Sequence, residues 1–105
     1  MDKRFKTIDR DQEREDRAQL YRDLATGALT LGQAVKRMRR LSRLTQPEFA
    51  GHRGISLDAL RQIEADKGNP TVETLNKVVG IFGLRVGFVP APRAPDPKEV
   101  RGQGE

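Results

Sequence analysis

The chain of 105 residues has no cysteine, no tryptophan and one tyrosine, and aromatic residues make up 5% of it. Without cysteine it can form no disulfide and offers no thiolate ligand to a metal. Its longest apolar run, around residues 78–82, is far shorter than the roughly 20 residues that span a bilayer. Its first residues lack the apolar segment of a signal peptide. We therefore expect a cytoplasmic protein without a membrane partner.

Enzyme chemistry has little support in the sequence. His52 is the single histidine and has neither metal-ligand companions nor a nucleophile close to it in the chain. Ser56 is explained as a helix N-cap rather than as a nucleophile. The ten glycines match no nucleotide-binding motif. The sequence therefore predicts a protein that is not an enzyme and has no cofactor and no metal site.

What the sequence does have is charge. Charged residues make up 33% of the chain, and 20 Lys and Arg exceed 15 Asp and Glu, which gives a net charge of +5. This excess weakly favours a polyanionic partner. Only 35% of the residues are hydrophobic, so the core is small and support from a second subunit is plausible.

Hydrophobic periodicity predicts helices over most of the chain. Residues 1–10 are a mixed-charge segment that we expect to be disordered. Residues 11–27 have a helical pattern whose apolar face packs on its own domain or on a dimer mate, and Gly27 ends it. The next helix begins after a capping box at Thr30 and ends near Arg43. Its other face is basic, and its apolar stripe consists of Leu31, Ala34, Val35, Met38 and Leu41.

Two short capped helices follow and form a helix-turn-helix between Thr45 and Ala65. The first has a second capping box at Thr45, and Gly54 breaks it. Ser56 caps the second helix. A last helix is predicted from the Thr71 cap to Phe82. Together these helices define a domain over residues 30–83.

The outward positions of the second helix of the motif suit contacts in the DNA major groove. Arg61 can donate to guanine and Gln62 can bond to adenine. Leu57 or Ala59 can pack on a thymine methyl group, whereas Asp58 either accepts from cytosine or stabilises the helix start. The basic cluster from Lys36 to Arg43 is either a solvated helix face or a phosphate-binding one, and Arg43 at the helix end is the best candidate of this group for a phosphate contact.

After Gly83 the apolar period changes from that of a helix to that of a strand, over residues 84–89. A single strand leaves its backbone unpaired, and no other segment of the sequence has a strand pattern. The simplest partner is the same strand of a second copy, paired antiparallel across a two-fold axis. We expect Leu84, Val86 and Phe88 to lie in this dimer interface, and residues 90–105 to form a disordered tail.

The motif resembles the XRE (Cro/repressor-type) helix-turn-helix family over roughly residues 31–84. The resemblance rests on Thr45-Gln46-Pro47-Glu48-Phe49-Ala50, Gly54-Ile55-Ser56, Ile63-Glu64, Gly68-Asn69-Pro70-Thr71 and Leu75. It implies an all-α, lambda repressor-like bundle, here with an extra N-terminal helix. It also implies an ion pair between Arg39 and Glu64. By the same resemblance, bases would be read by Leu57, Asp58, Arg61 and Gln62, and phosphates bound by Gln46, Asn69 and Thr71, to which we add Lys67 of the same loop.

The resemblance implies a sequence-specific DNA-binding regulator. We expect a homodimeric repressor that binds double-stranded DNA at a palindromic operator. The strand over residues 84–89 is also similar to the dimerising strand of HipB-type antitoxins, which leaves open a second function: an antitoxin that binds a toxin protein and regulates its own operon. A third alternative is a protein-binding module whose helix-turn-helix no longer contacts DNA.

Overall fold

The computed structural model describes residues 9–91, which form five α-helices and a closing 3₁₀ turn. The helices are α1 (Arg10–Ala25), α2 (Leu31–Leu41), α3 (Gln46–Arg53), α4 (Leu57–Glu64) and α5 (Val72–Val79), and the turn is Gly80–Phe82. The predicted compact all-α fold is confirmed. The predictions for residues 1–8 and 92–105 lie outside the described part of the chain.

Side-chain caps begin every one of these helices. Thr30 accepts a hydrogen bond from the Gln33 N–H at 3.1 Å, and the Gln33 side chain accepts one from the Thr30 N–H at 2.9 Å. Thr45 and Glu48 form the same reciprocal pair at the start of α3, at 3.3 and 2.9 Å. Because the first N–H groups of a helix have no partner within it, these caps fix where each helix begins.

The main core lies where α2, α3, α4 and α5 meet. Phe49, Leu60 and Val78 are fully buried at its centre. The core also contains Val35, Ala50, Ile63 and Leu75. Leu60 and Ile63 are three residues apart and lie on one face of α4, so burying that face leaves the opposite face of α4 in solvent.

Helix α1 packs on this bundle through a second, smaller cluster. Leu20 is fully buried against Ala34, Met38 and Phe82. The Tyr21 hydroxyl donates to the Phe82 carbonyl at 2.8 Å, on the same side of the helix. Helix α1 is therefore an integral part of the domain, and its apolar face packs on its own chain.

The end of the bundle differs from the prediction. The last α-helix was expected to run to Phe82 but ends at Val79, and Gly80–Phe82 continue as a 3₁₀ turn. A 3₁₀ turn is a common way to tighten a helix end, and here it accompanies the burial of Phe82 in the α1 cluster. Residues 84–91 are without regular secondary structure.

No helix within residues 9–91 is long and apolar enough to cross a membrane.

Candidate nucleic-acid interface

The turn between α3 and α4 sets the position of the second helix of the motif. Gly54 adopts a left-handed conformation with φ of 72°, which suits glycine at a helix C-terminus. The Ile55 N–H then donates to the Ala50 carbonyl at 3.0 Å. Ser56 caps α4 by accepting from the Ala59 N–H at 3.0 Å. Three residues, 54–56, therefore join the two helices, and their hydrogen bonds fix where α4 starts against α3.

A shallow groove of about 270 Å³ separates the outer face of α4 from the loop that leads to α5. The groove brings together five residues that the sequence assigned to DNA contacts: Asp58 and Gln62 from α4, and Lys67, Asn69 and Thr71 from the loop. The loop and the helix thus form the two walls of one surface. Leu57 and Arg61 lie on α4 outside this groove, with Arg61 exposed and Leu57 half-buried.

The predicted base-reading residues differ in how far they are already engaged. Gln62 donates to the Asp58 carboxylate at 2.8 Å, one helical turn away, and its side-chain oxygen lies over Gly68. The side chains of Arg61, Lys67 and Asn69 form no hydrogen bond or ion pair with any residue between 9 and 91. Within the described residues these three side chains have no partner, whereas Gln62 is held by Asp58.

Arg39 and Glu64 form a bidentate ion pair between α2 and the end of α4. Arg39 donates to the two carboxylate oxygens at 2.7 and 3.1 Å, and Gln46 donates to one of them at 3.0 Å. Burial alone would raise the pKa of Glu64, but these hydrogen bonds and the guanidinium charge outweigh burial and lower its pKa. The bond to Glu64 leaves the Gln46 amide a second N–H.

A second carboxylate, which the sequence analysis did not single out, also joins α4 to α2. Asp66 follows α4 with φ of 59°. It accepts from the Thr30 hydroxyl at 2.7 Å and from the Gly32 N–H at 2.8 Å, and these bonds lower its pKa. Gly32 permits the close approach of α2 to the end of α4, because a Cβ at this position would lie 2.6 Å from the Ile63 carbonyl oxygen. No local pattern marks Asp66, since its partners are more than thirty residues away in the chain.

Acidic residues of α1 face the basic side of α2. Asp23 pairs with Arg37 at 2.9 Å, and the hydrogen bond from Arg37 lowers the pKa of Asp23. At the other end of α1, Glu13 lies 4.0 Å from Arg43, the predicted phosphate ligand. The basic face of α2 contains no acidic residue of its own. In the structure its acidic partners belong to α1.

Three curated relatives match part of this chain. The Immunity repressor protein of Bacillus phage phi105 is 36% identical over 61 residues, which are 58% of this chain and 42% of the phage protein. The HTH-type transcriptional regulator PuuR of Escherichia coli (strain K12) is 32% identical over 73 residues, 69% of this chain and 40% of that protein. PuuR of Shigella flexneri matches to the same extent. No family model and no solved structure matches the chain.

The names of these relatives describe a repressor and an HTH-type transcriptional regulator. The second name agrees with the helix-turn-helix that α3 and α4 form. The chain spans about two fifths of the length of these relatives, which are 42% and 40% covered. The strand over residues 84–89 and its likeness to HipB-type antitoxins stay predictions.

Proposed function

We propose that this protein is a sequence-specific DNA-binding transcriptional regulator that acts as a repressor and is not an enzyme. The observation that carries the proposal is the surface of α4 and the following loop, where the exposed side chains of Arg61, Lys67 and Asn69 have no partner among residues 9–91. A short capped helix with such a face fits the major groove, and a polar loop beside it reaches a phosphate strand. The names of the relatives, a repressor and a transcriptional regulator, support the same function.

Selection of bound duplexes from a random DNA pool tests this proposal and yields the site. Arg61→Ala should weaken binding to the selected site by about 1–3 kcal/mol and relax the preference at one base pair. Lys67→Ala should weaken binding to all sequences alike and make the slope of log K against log salt shallower by about 0.9.

Arg22→Ala is a matched control, because it removes the same charge from α1, where Arg22 pairs with Glu15 at 2.9 Å. This variant should keep both the site preference and the salt slope. Recovery of no enriched sequence, or equal losses in all three variants, would contradict sequence-specific binding by this surface.

We further propose that the protein binds DNA as a homodimer, paired through residues 84–89. The N–H of Leu84 donates to the Val79 carbonyl at 3.3 Å, and the N–H of Val86 donates to the Asn76 side chain at 2.8 Å. Successive N–H groups of an extended segment point to opposite edges. The N–H groups of Leu84 and Val86 are thus used within the chain, and those of Arg85, Gly87 and Val89, which form no hydrogen bond within residues 9–91, are free for a second copy.

The exposed apolar side chains support the same pairing. Val86 and Phe88, which alternate positions place on one face of a strand, are 37% and fully exposed, and a second copy would cover them. Two paired copies would place their α4 helices in successive major grooves of a palindromic operator. Gly87→Pro removes an N–H of the free edge, whereas Gly87→Ala keeps it. Sedimentation should show a monomer for the proline variant and a dimer for the alanine variant; two dimers would refute this pairing edge.

A further inference from the structure

Helix α1 runs along the basic side of α2, and its two ends contact that side differently. Near its C-terminal end, Asp23 and Arg37 are partly buried and hydrogen-bonded at 2.9 Å. Near its N-terminal end, the Glu13 and Arg43 side chains are 42% and 54% exposed, and 4.0 Å separates their nearest charged atoms. The first contact is a fixed structural bond, whereas the second is an attraction between two solvated charges that either side chain can leave.

Arg43 lies just before the first helix of the proposed DNA-binding motif in the chain. It adopts a left-handed conformation with φ of 60° in the turn between α2 and α3, two residues before the Thr45 cap. Arg39 donates to the Leu44 carbonyl at 3.1 Å, which holds this turn against α2. Arg43 therefore stands at the start of the helix-turn-helix, where its guanidinium group can reach a phosphate strand. Glu13 then offers a carboxylate in competition with that phosphate.

We propose that Glu13 limits the affinity for DNA in two ways. Its carboxylate attracts the Arg43 guanidinium group, and it repels a DNA phosphate that would bind the same group. The inference rests on the proposed function. It concerns affinity for any sequence, because a phosphate contact carries no sequence information. The fold does not depend on the contact, since α1 is anchored by the buried Leu20 and by the hydrogen bond of Tyr21.

The chain offers a close control for this idea. Glu15 is two residues from Glu13 on the same helix, is exposed, and pairs with Arg22 of α1 itself at 2.9 Å. Glu13→Gln and Glu15→Gln change the net charge equally and leave the same helix in place. Only the first removes a carboxylate from the side of Arg43.

The experiment measures binding of the full chain to a random-sequence duplex over a range of salt concentrations. Glu13→Gln should tighten binding about two- to fivefold at low salt, as expected for one exposed charge pair. It should also steepen the slope of log K against log salt by up to about 0.9, the contribution of one phosphate contact. Glu15→Gln should show only the small uniform gain that follows from one added unit of positive charge. Circular dichroism melting curves verify that both variants remain folded.

Removing Arg43 gives the decisive comparison. Glu13→Gln in an Arg43→Ala background should tighten binding no more than Glu15→Gln does, because the charge that Glu13 holds is then absent. An equal gain from the two glutamine variants, or an undiminished Glu13→Gln gain without Arg43, would overturn the inference while leaving DNA binding intact. If the wild-type chain shows no salt-dependent binding to any duplex, the proposed function is wrong and the role of Glu13 is wrong with it.

Discussion

Replacing Gly32 with alanine should destabilise the protein although it adds a better helix former. Gly32 is the second residue of α2, and a Cβ there would lie 2.6 Å from the Ile63 carbonyl oxygen and 2.7 Å from that of Glu64. Both atoms are backbone, so neither can rotate aside. The closer one is about 0.8 Å short of an ordinary contact of 3.4 Å, and α2 must move away from the end of α4.

The magnitude follows from two opposing contributions. Overpacking of this kind costs typically about 1–3 kcal/mol. Alanine regains up to about 0.5–1 kcal/mol over glycine in a helix, and less at a helix end. We therefore expect Gly32→Ala to lower the free energy of unfolding by about 1–2 kcal/mol. That loss corresponds to a decrease in Tm of roughly 5–15 °C for a domain of this size.

Urea unfolding followed by circular dichroism measures this difference, and Gly51→Ala is the matched control. Gly51 lies within α3, and a Cβ there would meet nothing within 4 Å outside that helix. The control should be as stable as the wild type or more stable by up to about 1 kcal/mol. Equal effects of the two substitutions would refute the argument that the close approach of α2 to α4 requires glycine.

Two further substitutions test how the helices are held together. Glu64→Gln should cost about 2–3 kcal/mol at neutral pH, because it leaves the partly buried Arg39 without a counter-charge. Since folding lowers the pKa of Glu64, its contribution to the free energy of unfolding is complete above the usual pKa of about 4.5 and is lost as the pH falls through the lower folded-state pKa. The difference in stability between variant and wild type, measured by urea titration, should therefore shrink below about pH 4.5. A difference that stays constant with pH would contradict the assignment. Leu20→Ala should cost about 2–5 kcal/mol, because Leu20 is fully buried beside Phe82, and a loss under about 1 kcal/mol would mean that α1 is separable from the bundle.

The helix starts are predictable from the sequence because capping is local. Thr30, Thr45, Ser56 and Thr71 each accept from an N–H three residues later. The helix ends are less predictable, as shown by the 3₁₀ turn after Val79, since they depend on what the chain packs against next. A residue such as Phe82 fits a helical stripe equally well in an α-helix and in a tighter turn.

In the candidate surface, too, the contacts set by local geometry are predictable from the sequence and those set by long-range packing are not. Asp58, Gln62 and Lys67 lie close together because helix geometry and a short loop place them there, so their neighbourhood could be inferred from spacing alone. The acidic partners of the arginines on the basic side of α2 could not be inferred from spacing. Asp23 and Glu13 belong to a helix whose direction across α2 is set by the packing of Leu20, and a one-dimensional pattern carries no information on that crossing.

The long-range contacts of the carboxylates give the surface its rigidity. Glu64 and Asp66 lie at the end of α4 and bind Arg39, Thr30 and Gly32 of α2 or its cap. The end of the proposed reading helix is therefore fixed to the centre of the bundle by charged hydrogen bonds, which are stronger than neutral ones. Side chains on a rigid helix can read bases with precision, whereas Arg43 stands in a turn with a loosely held counter-charge. This contrast is why we assign discrimination to α4 and adjustable, sequence-independent affinity to the turn beside α1.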